Sequence, residues 1–261
     1  MNNENGETLL KVENLSVDFN MYTKGLHQHK SNVISNMEIE IHKGEIVAII
    51  GASGSGKSVL AHSILGLLPS NAEVNGNIIY KGQNLNDARR KELVGKEIVL
   101  IPQSVTYLDP LMKIGKQVKG LKYTEEDVDK AFKRYSLKEM VKNMFPFQLS
   151  GGMSRRVLVS TAVISNAELI IADEPTPGLS EDIAKETMKN FQELAREGRG
   201  IILITHDIDL ALMIADTVAV FKDGTTVEVT SVEKFKKGGD ALKHPFSRAL
   251  HRALPQNDFE A

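Results

Sequence analysis

The chain has 261 residues, 25% of them charged and 41% hydrophobic, with a formal net charge of −2 and no cysteine. A chain of that length buries a full core as one large α/β domain or two small ones. The near-neutral charge offers no electrostatic case for nucleic acid as a general partner, and the lack of cysteine excludes disulfides and thiolate metal sites.

No run of about 18 apolar residues is available to span a membrane. The opening MNNENGETLLKVENL is polar and acidic, unlike a signal peptide, so the expectation is a soluble cytoplasmic chain. The first elements read as strands: TLLKVENLSVDF and VISNMEIEIHKGEIVAII are rich in Val and Ile with partial alternation, and NMYTKGLHQHKSN between them reads as a polar loop or hairpin tip. EIVAII is a short β-branched run of the kind that forms a buried parallel strand, and KSVLAHSILGLL after it has helical spacing.

Between that strand and that helix lies GASGSGKS, Gly51 to Ser58, which matches G-x-x-x-x-G-K-[ST]. Gly51, Gly54 and Gly56 let the backbone curl so that successive N–H groups point inward as an anion nest. Lys57 reaches the outer phosphates of a nucleotide, the Ser58 hydroxyl can ligand Mg²⁺, and the helix opening at Lys57 aims its positive end at the same place.

Further along, EVNGNIIYKGQNL predicts a short strand between turns at Asn75-Gly76 and Lys81-Gly82, and KEIVLIPQ predicts a strand ended by Pro102. From Asp109 to Phe147 the pattern becomes amphipathic and helical, with Thr124 as an N-cap. AELIIADEP and RGIILITHD are continuous apolar strands of the parallel-sheet type, each followed by helical sequence. ADTVAVFKDGTTVEVTS closes the core as a hairpin turning at Asp223-Gly224. The layout is a P-loop α/β core interrupted by a mostly helical insert.

Four more segments carry candidate chemistry. LIIADEP places Asp173 and Glu174 at a strand end, where the first can hold the Mg²⁺ shell and the second can polarise an attacking water; a strand ending in Asp-Glu can equally begin a helix cap. LSGGM, Leu149 to Met153, precedes a helix. Adjacent glycines there more often make a plain loop, while the functional alternative is a second anion site built from Ser150, Gly151 and Gly152. Gln103 and His206 stand at two other strand ends, positions that taken singly are more often structural.

Together and in this order, these motifs resemble the ATP-binding subunit of an ATP-binding cassette (ABC) transporter, over roughly residues 8 to 255. The resemblance implies an α/β fold: one P-loop NTPase domain over 8–255 with an antiparallel β subdomain, a helical subdomain over about 109–165 and a short C-terminal extension over about 231–261. It implies ATP and Mg²⁺ as ligands. ATP would be held by Gly51, Ala52, Ser53, Gly54, Ser55, Gly56, Lys57 and Ser58, with Tyr22 stacking on adenine and Phe19 as the alternative. Ser58, Gln103 and Asp173 would serve the metal, and Glu174, His206 and Gln103 the hydrolysis. Ser150, Gly151 and Gly152 would meet the nucleotide of a second cassette, because one domain does not bring LSGGM to its own phosphate loop.

Within the family, Arg155-Arg156 after LSGGM, the YLDPLMKIGKQV segment and the tail HPFSRALHRALP look like the dipeptide, oligopeptide and nickel importer group. That likeness implies a second, non-identical ATPase chain as a heterodimer partner, two transmembrane permease subunits and an extracellular or periplasmic substrate-binding protein, with this chain peripheral on the cytoplasmic face of the membrane and no nucleic acid involved. Several relatives bind an iron–sulfur centre through a cysteine cluster in the tail, which a chain without cysteine cannot do. Ser180 stands where the family has an aspartate and weakens a link across the dimer.

His27 and His29 in a polar loop are two ligands short of a metal site, and the pairs Arg89-Arg90 and Lys236-Lys237 read as solvated faces. Two rivals remain: a soluble ABC ATPase acting outside transport, which would ordinarily carry tandem cassettes or basic extensions, and a regulatory partner that binds ATP but barely hydrolyses it.

Overall fold

A computed structural model describes residues 6–22 and 28–254. In chain order the elements are β1 (Thr8–Tyr22), β2 (Gln28–His42), β3 (Ile46–Gly51), α1 (Lys57–Leu65), β4 (Ala72–Tyr80), β5 (Gln83–Asn84), α2 (Asp87–Leu93) and β6 (Ile98–Ile101). The insert follows with α3 (Ile114–Lys119), α4 (Glu125–Arg134) and α5 (Gly151–Ile164). Then come β7 (Leu169–Asp173), α6 (Glu181–Arg196), β8 (Gly200–Ile204), α7 (Ile208–Ile214), β9 (Thr217–Lys222), β10 (Thr225–Ser231), α8 (Val232–Lys237) and α9 (Pro245–Arg252).

Two sheets result. Six strands in the order β10-β9-β3-β8-β7-β6 form the core sheet, in which β9 through β6 run parallel and β10 is the antiparallel edge. Four strands in the order β2-β1-β4-β5 form an antiparallel sheet. The strands β7 (LIIAD) and β8 (GIILI) are buried along their whole length, as continuous apolar runs covered on both faces must be. Alternate residues of β3 serve opposite cores: Val47 and Ile49 meet α1 and the antiparallel sheet, while Ile46 and Ala48 face the side closed by α4, α5 and α6. Ile50 joins a third cluster with Val218, Val220, Phe235 and Leu242 near the C-terminus.

The parallel arrangement aligns the carboxyl ends of β3, β6, β7 and β8 on one edge, the usual place for a site in open α/β sheets. The insert between β6 and β7 contains the expected cap. Thr124 caps α4 through a full capping box, its hydroxyl accepting from the Asp127 amide while the Asp127 carboxylate accepts from the Thr124 amide at 2.8 Å. Tyr107, Leu111, Leu121 and Phe147 leave much of their apolar surface exposed on this insert.

Several expectations need correction. The polar stretch around residue 22 is largely strand: Asn20 pairs with Lys30 and Met21 with His29, while the tip at 23–27, including His27, lies outside the described residues. Polar pairing extends the hairpin where apolar alternation stops, because Lys30 bridges Asp18 at 3.3 Å and Glu73 at 2.7 Å. Asn75-Gly76 lies inside β4 at a register shift against β1. There Gly76, at φ +102°, leaves no room for a Cβ, which would fall 2.4 Å from the Asn14 carbonyl oxygen. Lys81-Gly82 and Asp223-Gly224 are turns, each with both residues at positive φ. Arg89 and Arg90 are half-buried rather than solvated: Arg89 donates to the Gln83 carbonyl at 2.9 Å and Arg90 to the Ile64 carbonyl at 3.2 Å. Lys236 and Lys237 are exposed.

The tail is fastened by one buried carboxylate. Glu228 on β10 accepts from the Lys243 amide at 2.8 Å and the His244 amide at 3.0 Å, just before α9 begins. Burial pushes this carboxyl upward, but the hydrogen bonds from the two amides outweigh it, and the pKa is lowered. A lowered folded-state value means stability that is present above the unfolded pKa of about 4.3 and is lost as pH falls through the folded one. Glu228→Gln is therefore expected to lower stability by about 1–2 kcal/mol at pH 7. In denaturant titrations the gap between variant and wild type should close below about pH 4. A gap that stays constant across that range would show that the carboxylate charge is not what holds the tail.

Candidate functional site

The edge of the core sheet gathers the side chains singled out from the sequence. β3 ends at Gly51, where φ is +153° and an added Cβ would lie 2.1 Å from the Phe221 carbonyl oxygen on β9. Only glycine lets the chain leave the sheet there. Five residues later Gly56, at φ +92°, sits against Ile34 of β2 and starts α1. The loop between them is closed by the Ser55 amide donating to the Ala52 carbonyl at 3.2 Å.

Lys57 folds back over this loop, its Nζ donating to the Gly51 carbonyl at 2.9 Å and the Ala52 carbonyl at 2.8 Å. Burial lowers its pKa, opposed by the charges of Glu174 and Asp173. An ammonium has three N–H donors, so one remains for an anion in the nest.

Asp173 is the last residue of β7, buried, and paired in register with Ile204 of β8. Burial raises its pKa, countered by a hydrogen bond from Ser58; its Oδ1 is buried with no hydrogen-bond partner among the described residues. Ser58 and an unpartnered carboxylate oxygen are hard oxygen donors of the kind that Mg²⁺ takes, so the residues fit that ion. Glu174 follows at φ +49°, a left-handed backbone fixed by its amide donating to the Ile204 carbonyl at 2.9 Å. Its buried carboxylate lies 2.9 Å from Nδ1 of His206 and accepts at 3.4 Å from Thr205 Oγ1. His206 is 72% exposed, its ring reaching from the β8 end into the cleft.

An open cleft of about 380 Å³ is lined by Gly51, Ser53, Gly54, Gly56, Lys57, Ser58, Gln103, Asp173, Glu174 and His206, together with Val33, Val59 and Ile204. Motifs spread over more than 150 residues therefore converge. Val33, which lines the cleft, and Thr205, which bonds Glu174, were not found from sequence, and Arg155 was noted there only as one of a pair, without its contacts. Arg155 is buried in α5 and donates from Nη1 to the carbonyls of Pro102, at 3.0 Å, and Gln103, at 2.5 Å.

Five expected ligands, Ala52, Ser55, Ser150, Gly151 and Gly152, are absent from the described lining of the cleft. Ser150 caps α5, its hydroxyl accepting from the Met153 amide at 3.3 Å. Gly152 faces Gly178 and Leu179, where an added Cβ would lie 3.5 and 3.6 Å from their atoms. The backbone of Tyr22 ends β1, but its side chain lies outside the described residues, as do the structural grounds for choosing it. Phe19 packs instead against the core between the sheets. Chemically, the cleft offers an amide nest, an ammonium, hard oxygen ligands and a carboxylate–imidazole pair, which suits a polyphosphate ester and an attacking water.

Comparison with known proteins agrees. The ABC transporter family model matches residues 34–177. The oligopeptide transport ATP-binding protein OppD of Lactococcus lactis subsp. cremoris (strain SK11) is 34% identical, covering 95% of this chain and 76% of that protein. The dipeptide transport ATP-binding protein DppD of Escherichia coli (strain K12) is 32% identical, covering 95% and 79%. Among solved structures, the dimeric post-hydrolysis state of the ATP-binding cassette MJ0796 bound to ADP and Pi superposes with a TM-score of 0.76 at 25% identity, over 86% of this chain and 99% of that one.

Proposed function

Because the chain belongs to the ABC transporter family and is one of its ATPases, we propose that it is the ATP-hydrolysing subunit of an importer for a peptide-like or nickel-type substrate. The observation that carries the ATPase reading is the convergence of Lys57, Ser58, Gln103, Asp173, Glu174 and His206 on one cleft. The similarity to OppD and DppD supports a peptide as the cargo.

In this reading the loop amides and Lys57 receive the phosphates, and Ser58, Asp173 and Gln103 would hold Mg²⁺. When bound, that ion neutralises phosphate charge and orients the outer phosphoryl group. Glu174 takes the proton of the attacking water, and its backbone amide, tied to β8, fixes where the carboxylate points. His206 keeps Glu174 oriented through the 2.9 Å contact and turns toward the outer phosphate when the cleft is filled. Ser150, Gly151 and Gly152 do not line this cleft and supply the opposite wall of a partner cassette's site.

The partner is a second ATPase chain, and a non-identical one is the proposal made here. Ser180 caps α6 with no side-chain cap bond among the described residues, so it brings no carboxylate to that junction. No helix among the described residues is long and apolar enough to cross a membrane. Two permease subunits and a substrate-binding protein would complete the assembly, with this chain peripheral on the cytoplasmic face. The exposed apolar residues of the insert, Tyr107, Leu111, Leu121 and Phe147, follow Gln103 along the chain and form the surface on which the permeases dock.

Lys57→Ala is expected to weaken ATP binding by about 100-fold or more, read in a nucleotide titration, since the outer phosphates lose their point charge. Unchanged affinity would remove the phosphate loop from the function.

Glu174→Gln keeps shape and loses the base. ATP should still bind, while turnover of the assembled transporter falls by about 100-fold and an ATP-bound dimer accumulates on a sizing column. Wild-type turnover would place the base elsewhere.

Ser150→Arg separates the two half-sites. The lone subunit should bind ATP with wild-type affinity, while the assembled transporter loses ATPase activity because a bulky cation blocks closure over the partner's nucleotide. Parallel loss of both properties would make Ser150 structural only; loss of neither would refute the second-cassette role.

A further inference from the structure

Arg155 is a buried cation that the reaction outlined above leaves without a task. It lies on α5 just past the first turn, which carries Gly151 and Gly152 at its exposed end. Its Nη1 donates to two successive carbonyls, Pro102 at 3.0 Å and Gln103 at 2.5 Å. Beyond Pro102 the chain is exposed through Tyr107 and is otherwise held locally, by Ser104 accepting from the Thr106 amide at 3.2 Å and by the Leu108 amide donating to Val105. Among the described residues, both long-range hydrogen bonds to the segment 102–107 come from Arg155.

The arrangement is not the one stability alone would choose. Nε of Arg155 is buried with no hydrogen-bond partner among the described residues, and leaving a buried donor unmade is costly. The charges facing the guanidinium are the carboxylates of Asp173 and Glu174, so it also stands within the field of the cleft. One rigid side chain thus joins the end of α5 that carries Ser150 to a residue lining the phosphate cleft of the same chain.

We propose that Arg155 is a positioning residue: it holds the Gln103 backbone to α5, so that closure of a partner cassette on Ser150-Gly151-Gly152 sets where Gln103 stands in this chain's own cleft. The proposal rests on the ATPase reading above. Binding of nucleotide to the phosphate loop does not require Arg155, whereas the placement of Gln103 for turnover, and the coupling between two sites, do.

The test compares Arg155→Met with Arg155→Lys in the full chain and in the assembled transporter. Arg155→Met should leave the ATP affinity of the lone subunit within about twofold of wild type, lower kcat by about tenfold, shift KM by less than about threefold, and bring the Hill coefficient for ATP toward 1. Arg155→Lys, whose ammonium can still donate to both carbonyls, should recover most of the rate and the cooperativity. Amide hydrogen exchange at residues 103–108 should speed up in the methionine variant and return toward wild type in the lysine one. Wild-type kcat and exchange in Arg155→Met, or a lysine variant no better than methionine, would overturn the proposal, as would ATP affinity and melting temperature falling together. A wild-type transporter without ATPase activity would defeat the reading of the site rather than this link. In that case the exchange result decides alone, and unchanged exchange in Arg155→Met rejects the link.

Discussion

Two adjacent carboxylates buried at the end of β7 are the constraint around which the rest of the site is arranged. Asp173 and Glu174 leave water at the edge of a sheet whose central strands are otherwise apolar, and each buried carboxylate costs several kcal/mol unless it is compensated. The compensation is local and uneven. Glu174 has His206 at 2.9 Å and Thr205 at 3.4 Å, but Asp173 has the Ser58 hydroxyl and one oxygen with no partner among the described residues. In the function proposed here, a cation and a polyphosphate bound together would make up the difference.

The parallel sheet solves the geometric half of the problem. Carboxyl ends of β3, β6, β7 and β8 share one edge, so residues far apart in sequence need only stand one or two positions beyond a strand to meet. Lys57 illustrates the economy. The loop that buries it also takes two of its donors, and the two carboxylates opposite work against the downward shift that burial causes. Left-handed Glu174 shows what the arrangement costs, since a non-glycine residue holds positive φ because its amide is tied to Ile204.

Legibility from sequence followed chemistry more closely than geometry. Gly51 to Ser58, Gln103, Asp173-Glu174 and His206 were readable because each sits just past an apolar strand, and the structure gathers representatives of all four in one cleft. Asn75-Gly76 reads as a turn because a bulge and a turn use the same glycine conformation; only the pairing with β1 across the register shift, where Asn14 crowds Gly76, tells them apart. Arg89 and Arg90 read as solvated because charge suggests surface, yet backbone carbonyls at the ends of β5 and α1 draw them inward. The contacts of Arg155 were invisible for a different reason. Its partners are main-chain oxygens more than fifty residues earlier, and carbonyls carry no signature in a sequence.

The unequal halves of the molecule follow from how the insert is attached. It leaves the core after β6 and returns as β7, so its last helix, α5, must start outside the cleft and run back toward the sheet. Its N-terminus is capped by Ser150 accepting from Met153, and Gly152 there stands beside Gly178 and Leu179. An open cleft that shares His206 with a neighbouring groove lined by Thr176, Gly178, Leu179 and Asp207 then has one wall built and one side free. In the function proposed here a second cassette supplies the missing wall. The residues best placed to sense its arrival are those that touch both the insert and the strand edge, and a guanidinium lodged between α5 and the end of β6 is one of them.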